Sequence, residues 1–208
     1  MASKSTRAHG VASRRRILDA AAEIAGERGY GGTSISEVSK RSGLPHSSIY
    51  WHFADKDALF AAVIEDSYEQ WRADFQTRNE GSSADAEEVL VRLHDSLATF
   101  PAFLRFGHLV ILERHDQDLT ARTRFLEIRR RALAELADRF VEFDGIDWRA
   151  AEELAAVALA LIDGAFLARA AGEPTLNGSL VLGRAFEAAV RSARQPVTGE
   201  VREARRGR

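Results

Sequence analysis

Apolar residues recur along this chain at the three- and four-residue spacing of helices, and nowhere with the sustained alternation of strands. Ile17, Leu18, Ala21, Ile24 and Ala25 trace one apolar face that stops at Gly29. The stretch SISE (34–37) is a capping box in which Ser34 caps and Glu37 reaches back, so a short helix starts there with Ile35 and Val38 inward. Gly43 ends it, and Pro45 opens a second short helix at a position where a missing N–H costs nothing. Asp55 caps a longer helix through Leu59, Val63, Ile64, Tyr68, Trp71 and Phe75. Beyond Gly81-Ser82-Ser83, the residues Ala86, Val89, Leu90, Leu93, Leu97 and Phe100 form an amphipathic face that stops before Pro101. FLRFGHLVIL (103–112) is apolar on almost every side, the mark of a buried helix. Leu119, Leu126, Leu133, Leu136 and Phe140 mark a long helix with many outward arginines. Asp147 caps a helix through Leu154, Val157, Leu161, Ile162 and Phe166, ended by Gly172 and Pro174, and a last helix runs from Ser179 to Arg194. The prediction is an all-α chain of about nine helices, three of them small and crowded at the N-terminus.

The three small helices raise the chemical question. A helix over 34–42, a turn at Gly43-Leu44 and a second helix over 45–53 make a helix-turn-helix, whose crossing Val38, Leu44 and Ile49 can fix. With Ile49 and Phe53 inward, Pro45, His46, Ser47, Tyr50 and Trp51 are left facing out. Hydroxyls and imidazole suit phosphates or base edges, and the aromatic bodies suit sugars or a thymine methyl. The N-terminal end of such a helix enters the major groove, where His46 and Ser47 lie. Thr33, Ser34, Ser48 and His52 complete the candidate DNA contacts, together with Lys56, which sits beside a helix N-terminus and so makes an anion site. Plainer roles stand beside these: Phe53, Ile49 and Leu59 as core, Thr33 as part of a cap, His52 packed against the fourth helix, Trp51 as a bare surface aromatic.

Charge distribution sharpens the picture. The 208 residues carry a formal net charge of -2, but residues 1–60 hold nine basic against six acidic side chains, +3, and residues 191–208 hold six arginines against two glutamates, +4. The middle therefore carries -2 - 3 - 4 = -9, an acidic body joined to a basic N-terminal block that suits a polyanion. There are no cysteines, hence no disulfides or thiolate chemistry, no leader-like apolar run and no stretch long enough to span a bilayer. These features lead us to expect a cytoplasmic protein with no membrane partner and no cofactor. Residues 1–13 read as a basic disordered arm and 196–208 as a disordered arginine-rich tail.

From about Arg15 to Ile64, and above all in TSISEVSKRSGLPHSSIYWHFADKDAL, the chain resembles the DNA-binding segment of the TetR family of bacterial transcriptional regulators. The Gly43-Leu44 turn, Tyr50, the His52-Phe53 pair, Lys56 and Leu59 carry the likeness. It implies phosphate contacts from Tyr50 and Lys56, and Pro45 departs from the serine or threonine frequent there. It also implies a DNA-binding domain over 14–60 and an effector-binding, dimerising domain over 61–195. ALIDGAFLARAAGEP (160–174) is similar to the penultimate helix of many members; with LVLGRAFEAAV (180–190) it gives a candidate dimer face of Leu161, Gly164, Ala165, Ala168, Phe186 and Val190. Trp71, Phe75, Phe100, Phe103, Phe106, His108, Leu109, Leu112 and Phe125 are the candidate lining of a pocket for a small, largely apolar or aromatic effector, unless they simply fill a core.

The expected function is a homodimeric regulator, a repressor released from a pseudo-palindromic double-stranded operator by a small effector. His108, His115, Glu113 and Asp116 lack the arrangement a metal needs. An all-α enzyme has no constellation to support it. The remaining rival is a helical interaction protein whose basic segment binds polyanions or acidic partners without sequence preference.

Overall fold

The computed structural model describes residues 2–79, 86–97, 102–112, 119–173 and 179–194. They form helices α1 (Ala2–Arg28), α2 (Ile35–Ser42), α3 (His46–His52), α4 (Lys56–Asn79), α5 (Ala86–Leu97), α6 (Ala102–Leu112), α7 (Thr120–Asp144), α8 (Trp148–Ala170) and α9 (Ser179–Arg194), with no strand among the described residues. The fold is all-α, as the spacing predicts.

Two compact units divide these helices. The first holds α1 to α4, α6 and the first half of α7. Its core joins Ile17, Leu18, Ile24, Val38, Ile49, Leu59, Phe60, Ile64, Phe106 and Phe125, all fully or almost fully buried. Where α6 meets α7, Gly107 leaves room for a ring: a Cβ there would fall 2.1 Å from the Phe125 ring. The second unit holds α5, the rest of α7, α8 and α9, with α9 packed on α5 and α8. Phe140 and Phe186 meet in its core at 5.4 Å between ring centres.

Local signals terminate the helices as the residues suggest. Asp147 accepts from the Arg149 N–H at 3.2 Å, and Asp55 accepts from the Ala58 N–H at 2.7 Å, each capping a helix start. Three expectations change. Residues 2–13, expected as a disordered arm, continue α1: no proline precedes Pro45, and only Gly10 weakens the run. Pro45 is the N-cap of α3, with φ -66 and ψ 156, instead of its first helical residue. In α7 the buried line is Ala121, Phe125, Ile128, Leu136 and Phe140, while Leu126 and Leu133 are half-buried. The stretch at 81–83, the prolines at 101 and 174 and the tail at 196–208 lie outside the described residues.

Candidate nucleic-acid interface

The recognition element is held by short polar ties. Ser34 accepts from the Glu37 N–H at 3.2 Å while Glu37 accepts from the Ser34 N–H at 3.0 Å, the reciprocal box that starts α2. Hydrogen bonds from the Ser34 side chain and backbone, with Arg28 and Lys40 nearby, hold the Glu37 carboxyl below its usual range. Gly43 ends α2 in the left-handed region at φ 66, and Ser39 donates to the Leu44 carbonyl at 2.7 Å across the turn. Arg16 of α1 reaches the Ser42 carbonyl at 2.6 Å, tying the end of α2 to α1.

Within α3, burial separates support from contact. Ile49 is 1% exposed and Phe53, its C-cap residue, is also buried. On the other side Tyr50 is 54% and Trp51 77% exposed, with Pro45, His46 and Ser47 exposed beside them and Ser48 half-buried. The outward set forms one continuous face of hydroxyls, imidazole and aromatic rings. Trp51 stands edge-on to His52 at 4.6 Å. His52 is half-buried, and burial, then the Arg14 charge, lowers its pKa below the ordinary histidine value.

Two candidates sit differently from their expected roles. Thr33 is only 3% exposed, and its hydroxyl donates to the Gly29 carbonyl at 2.8 Å, so it closes the end of α1 and does not present itself to solvent. Lys56 donates to the Tyr30 carbonyl at 2.7 Å, with its ammonium 4.1 Å from the Tyr30 ring centre. That places the cation at the N-terminus of α4, against the end of α1. Ser34 remains exposed at its cap.

Several aromatic candidates for an effector site touch one another along α4 and α6. Trp71 and Phe75 of α4 stack at 5.6 Å, Trp71 meets Phe103 at 5.4 Å, and Phe60 meets Phe106 at 6.1 Å. Phe103, Phe106 and Phe125 are buried core, Trp71, Phe75 and Leu109 are half-buried at its rim, and Leu112 is 70% exposed, outside it. His108 is buried, its Nδ1 paired with the Leu104 carbonyl at 2.7 Å and its ring edge-on to Phe125. Phe100, Glu113, His115 and Asp116 lie outside the described residues. A separate open cavity of about 480 Å³ lies between α1 and α6, lined by Glu23, Glu27, Arg105 and Phe106 among others.

Of the candidate dimer residues, Phe186, Val190, Ala165 and Ala168 are buried within the chain itself, Leu161 is half-buried and Gly164 is exposed. The outward apolar side of α8 is instead Val157, Gly164 and Leu167, with Leu161 at its edge. Val157, which the sequence places only on the helix's apolar run, and Leu167 were not among the candidate dimer residues, although their spacing from Gly164 places them on one helical face. No group of three His, Cys, Asp or Glu side chains is placed to hold a metal among the described residues. No helix there is long and apolar enough to cross a membrane.

Residues 17–63 match the family model for bacterial regulatory proteins of the tetR family. That N-terminal segment is of the TetR type. It is 24% identical over 140 residues to the HTH-type transcriptional regulator SrpR of Pseudomonas putida, covering 67% of this chain and 61% of that protein. It is 32% identical over 111 residues to the HTH-type transcriptional regulator YdgC of Bacillus subtilis (strain 168), covering 53% of this chain and 52% of that one. Each of these two relatives is thus matched over only part of its length. In fold, the chain is similar to a transcriptional regulator from Saccharomonospora viridis solved in complex with choline, at 22% identity and a TM-score of 0.67, covering 87% of this chain and 96% of that one.

Proposed function

We propose that this protein is a homodimeric, sequence-specific DNA-binding transcriptional regulator of the TetR family, a repressor released from a pseudo-palindromic operator by a small-molecule effector. The observation that carries the reading is the face of α3. Ile49 is buried against the domain, while His46, Ser47, Tyr50 and Trp51 are exposed together on one short helix. His46 and Ser47 read base edges, with Ser48 and Pro45 flanking them. Tyr50 and Lys56 hold phosphates, Trp51 packs on sugar or a thymine methyl, and His52 lies at the trailing edge of the contact. Ser34 orients the whole element through its cap, with Thr33 beneath it.

Two protomers place their α3 helices in successive major grooves about 34 Å apart. The exposed apolar side of α8 around Leu161, Gly164 and Leu167 is the face through which they pair. Aromatic residues Trp71, Phe75 and Phe103 supply the wall of an effector site for a small, largely apolar or aromatic molecule, with His108 as its polar member. A fold relative that binds choline makes a small organic effector a reasonable class.

The test is selection from a random duplex pool followed by salt titration of the winner. The reading expects a pseudo-palindrome bound about 10³-fold or more above background. Sequence-independent binding that merely weakens with salt would favour a polyanion-binding helical protein instead.

A further inference from the structure

Helix α4 holds the starts of two other helices with its own side chains. The Asp57 carboxylate accepts from the Thr120 N–H at 2.6 Å and from the Ala121 N–H at 3.1 Å, so it caps α7 from 63 and 64 residues away in sequence. One helical stretch further along α4, the Ser67 hydroxyl accepts from the Phe103 N–H at 3.0 Å, at the start of α6. Between them Glu65 pairs with Arg124 of α7 at 3.2 Å.

The first four N–H groups of a helix have no intrahelical acceptor. Two of those of α7, on Thr120 and Ala121, find theirs in the Asp57 carboxylate, in the first turn of α4, the turn that begins with Lys56. Lys56 in turn donates to the Tyr30 carbonyl at the end of α1. Adjacent residues therefore face two ways: Lys56 toward the end of α1 and the expected DNA phosphate, Asp57 toward the start of α7.

From this geometry we infer that Asp57 is a positioning residue that couples operator contact at Lys56 to the start of α7. The inference rests on the regulator reading above. A phosphate bound at Lys56 pins the first turn of α4, which pins the Asp57 carboxylate and strengthens its hold on the Thr120 and Ala121 amides. Linkage makes the coupling reciprocal: whatever displaces the start of α7 weakens the phosphate contact by the same factor. Arg124 and Ser67 keep α4 in register with α7 and α6, so that a shift of one helix is passed on and not absorbed.

The experiment measures amide exchange at residues 120 and 121 in the full chain, free and saturated with the selected operator duplex. In the unaltered protein, operator should slow both amides about fivefold or more, the lower end of ordinary coupling between sites. Asp57→Ala should leave both amides fast in either state. Lys56→Met is the decisive variant, because it leaves the cap intact: free-state protection should persist and the operator-induced increment should vanish. A purely structural cap would show the same protection with and without operator, and the same behaviour in Lys56→Met; either result overturns the coupling. Should Asp57→Ala fail to fold, Lys56→Met decides alone. If no duplex binds, the titration reports it before exchange is measured, and the regulator reading falls together with this inference. If operator binds and the two amides do not respond, only the inference falls.

Discussion

Tyr50 and Trp51 on α3, and Phe60, Phe106 and Phe125 in the body of the same unit, are similar side chains in opposite circumstances. The first pair stands in solvent on a seven-residue helix that ends its own packing at Ile49 and Phe53. The second set is buried and interlocked through α4, α6 and α7, to the point that one extra carbon at residue 107 has no room. An exposed aromatic contributes little to folding and is free to spend its surface on a partner, whereas a buried one contributes mainly cohesion. The contrast teaches that aromatic content alone does not mark a binding surface; register against the core does.

The most forceful way to break the contrast is to truncate one member of each set. Phe106→Ala should cost about 3–5 kcal/mol of stability, read as a lower denaturant midpoint, since a fully buried ring leaves a cavity. Trp51→Ala should stay within about 0.5 kcal/mol of the parent. Its operator affinity should nevertheless fall, by about 1–3 kcal/mol concentrated at one base pair of the selected site. If Trp51→Ala unfolds the protein instead, its ring is structural and the proposed contact face is wrong.

A smaller step sharpens the body side. Gly107→Ala adds a single methyl against Phe125 and should cost about 1–3 kcal/mol by overpacking. Phe125→Leu in the same background should recover part of that loss, because it removes the ring atoms that clash. Absence of any recovery would mean that the strain is taken up elsewhere.

Smaller again is the cap of α2. Ser34→Ala removes one half of the capping box and should cost about 1 kcal/mol. Thr or Asp at 34 should restore most of it. Chemical denaturation of the three variants checks this, and a matching fall in operator affinity would show that α2 orients α3.

How much of this was visible in the residues depends on how far apart the partners lie. The box of Ser34 and Glu37, the turn at Gly43 and the cap at Asp147 join near neighbours, and each is legible as a short motif. Ile49 as core and Tyr50 as surface follow from one helical period. Asp57 is different: its carboxylate serves backbone groups 63 residues on, and nothing in the pattern around it announces that. The same holds for Thr33, whose neighbours fit a phosphate ligand and an internal cap equally well until the Gly29 carbonyl is located. Phe186 and Val190 sit on an apolar stripe that periodicity finds correctly. Whether the stripe meets a second copy or this chain's own helices is decided by packing, and here both side chains are used internally. Val157 and Leu167, on the outward side of α8, were not placed on the dimer face because a helix apolar on two faces gives no sign of which face is free.

The finest test concerns His52, at the boundary between the two kinds of residue. Burial and the Arg14 charge lower its pKa in the folded chain, so the unfolded chain binds the proton more readily. Stability should therefore decline as pH falls from about 6.5 toward the lowered folded value and level off below it. A bound phosphate acts in the opposite sense, because a nearby anion favours the imidazolium. Operator binding should then take up a proton, and affinity should rise as pH falls through the bound-state pKa toward the free-state one. Folding and DNA binding thus acquire opposite slopes from a single ring. Both effects are small, since His52 is partly solvated and its field is screened. His52→Gln should flatten both slopes between about pH 5 and 8, measured by thermal unfolding and by operator titration in parallel. If only the unfolding slope flattens, His52 is a packed residue of the domain, and the DNA face ends at Trp51.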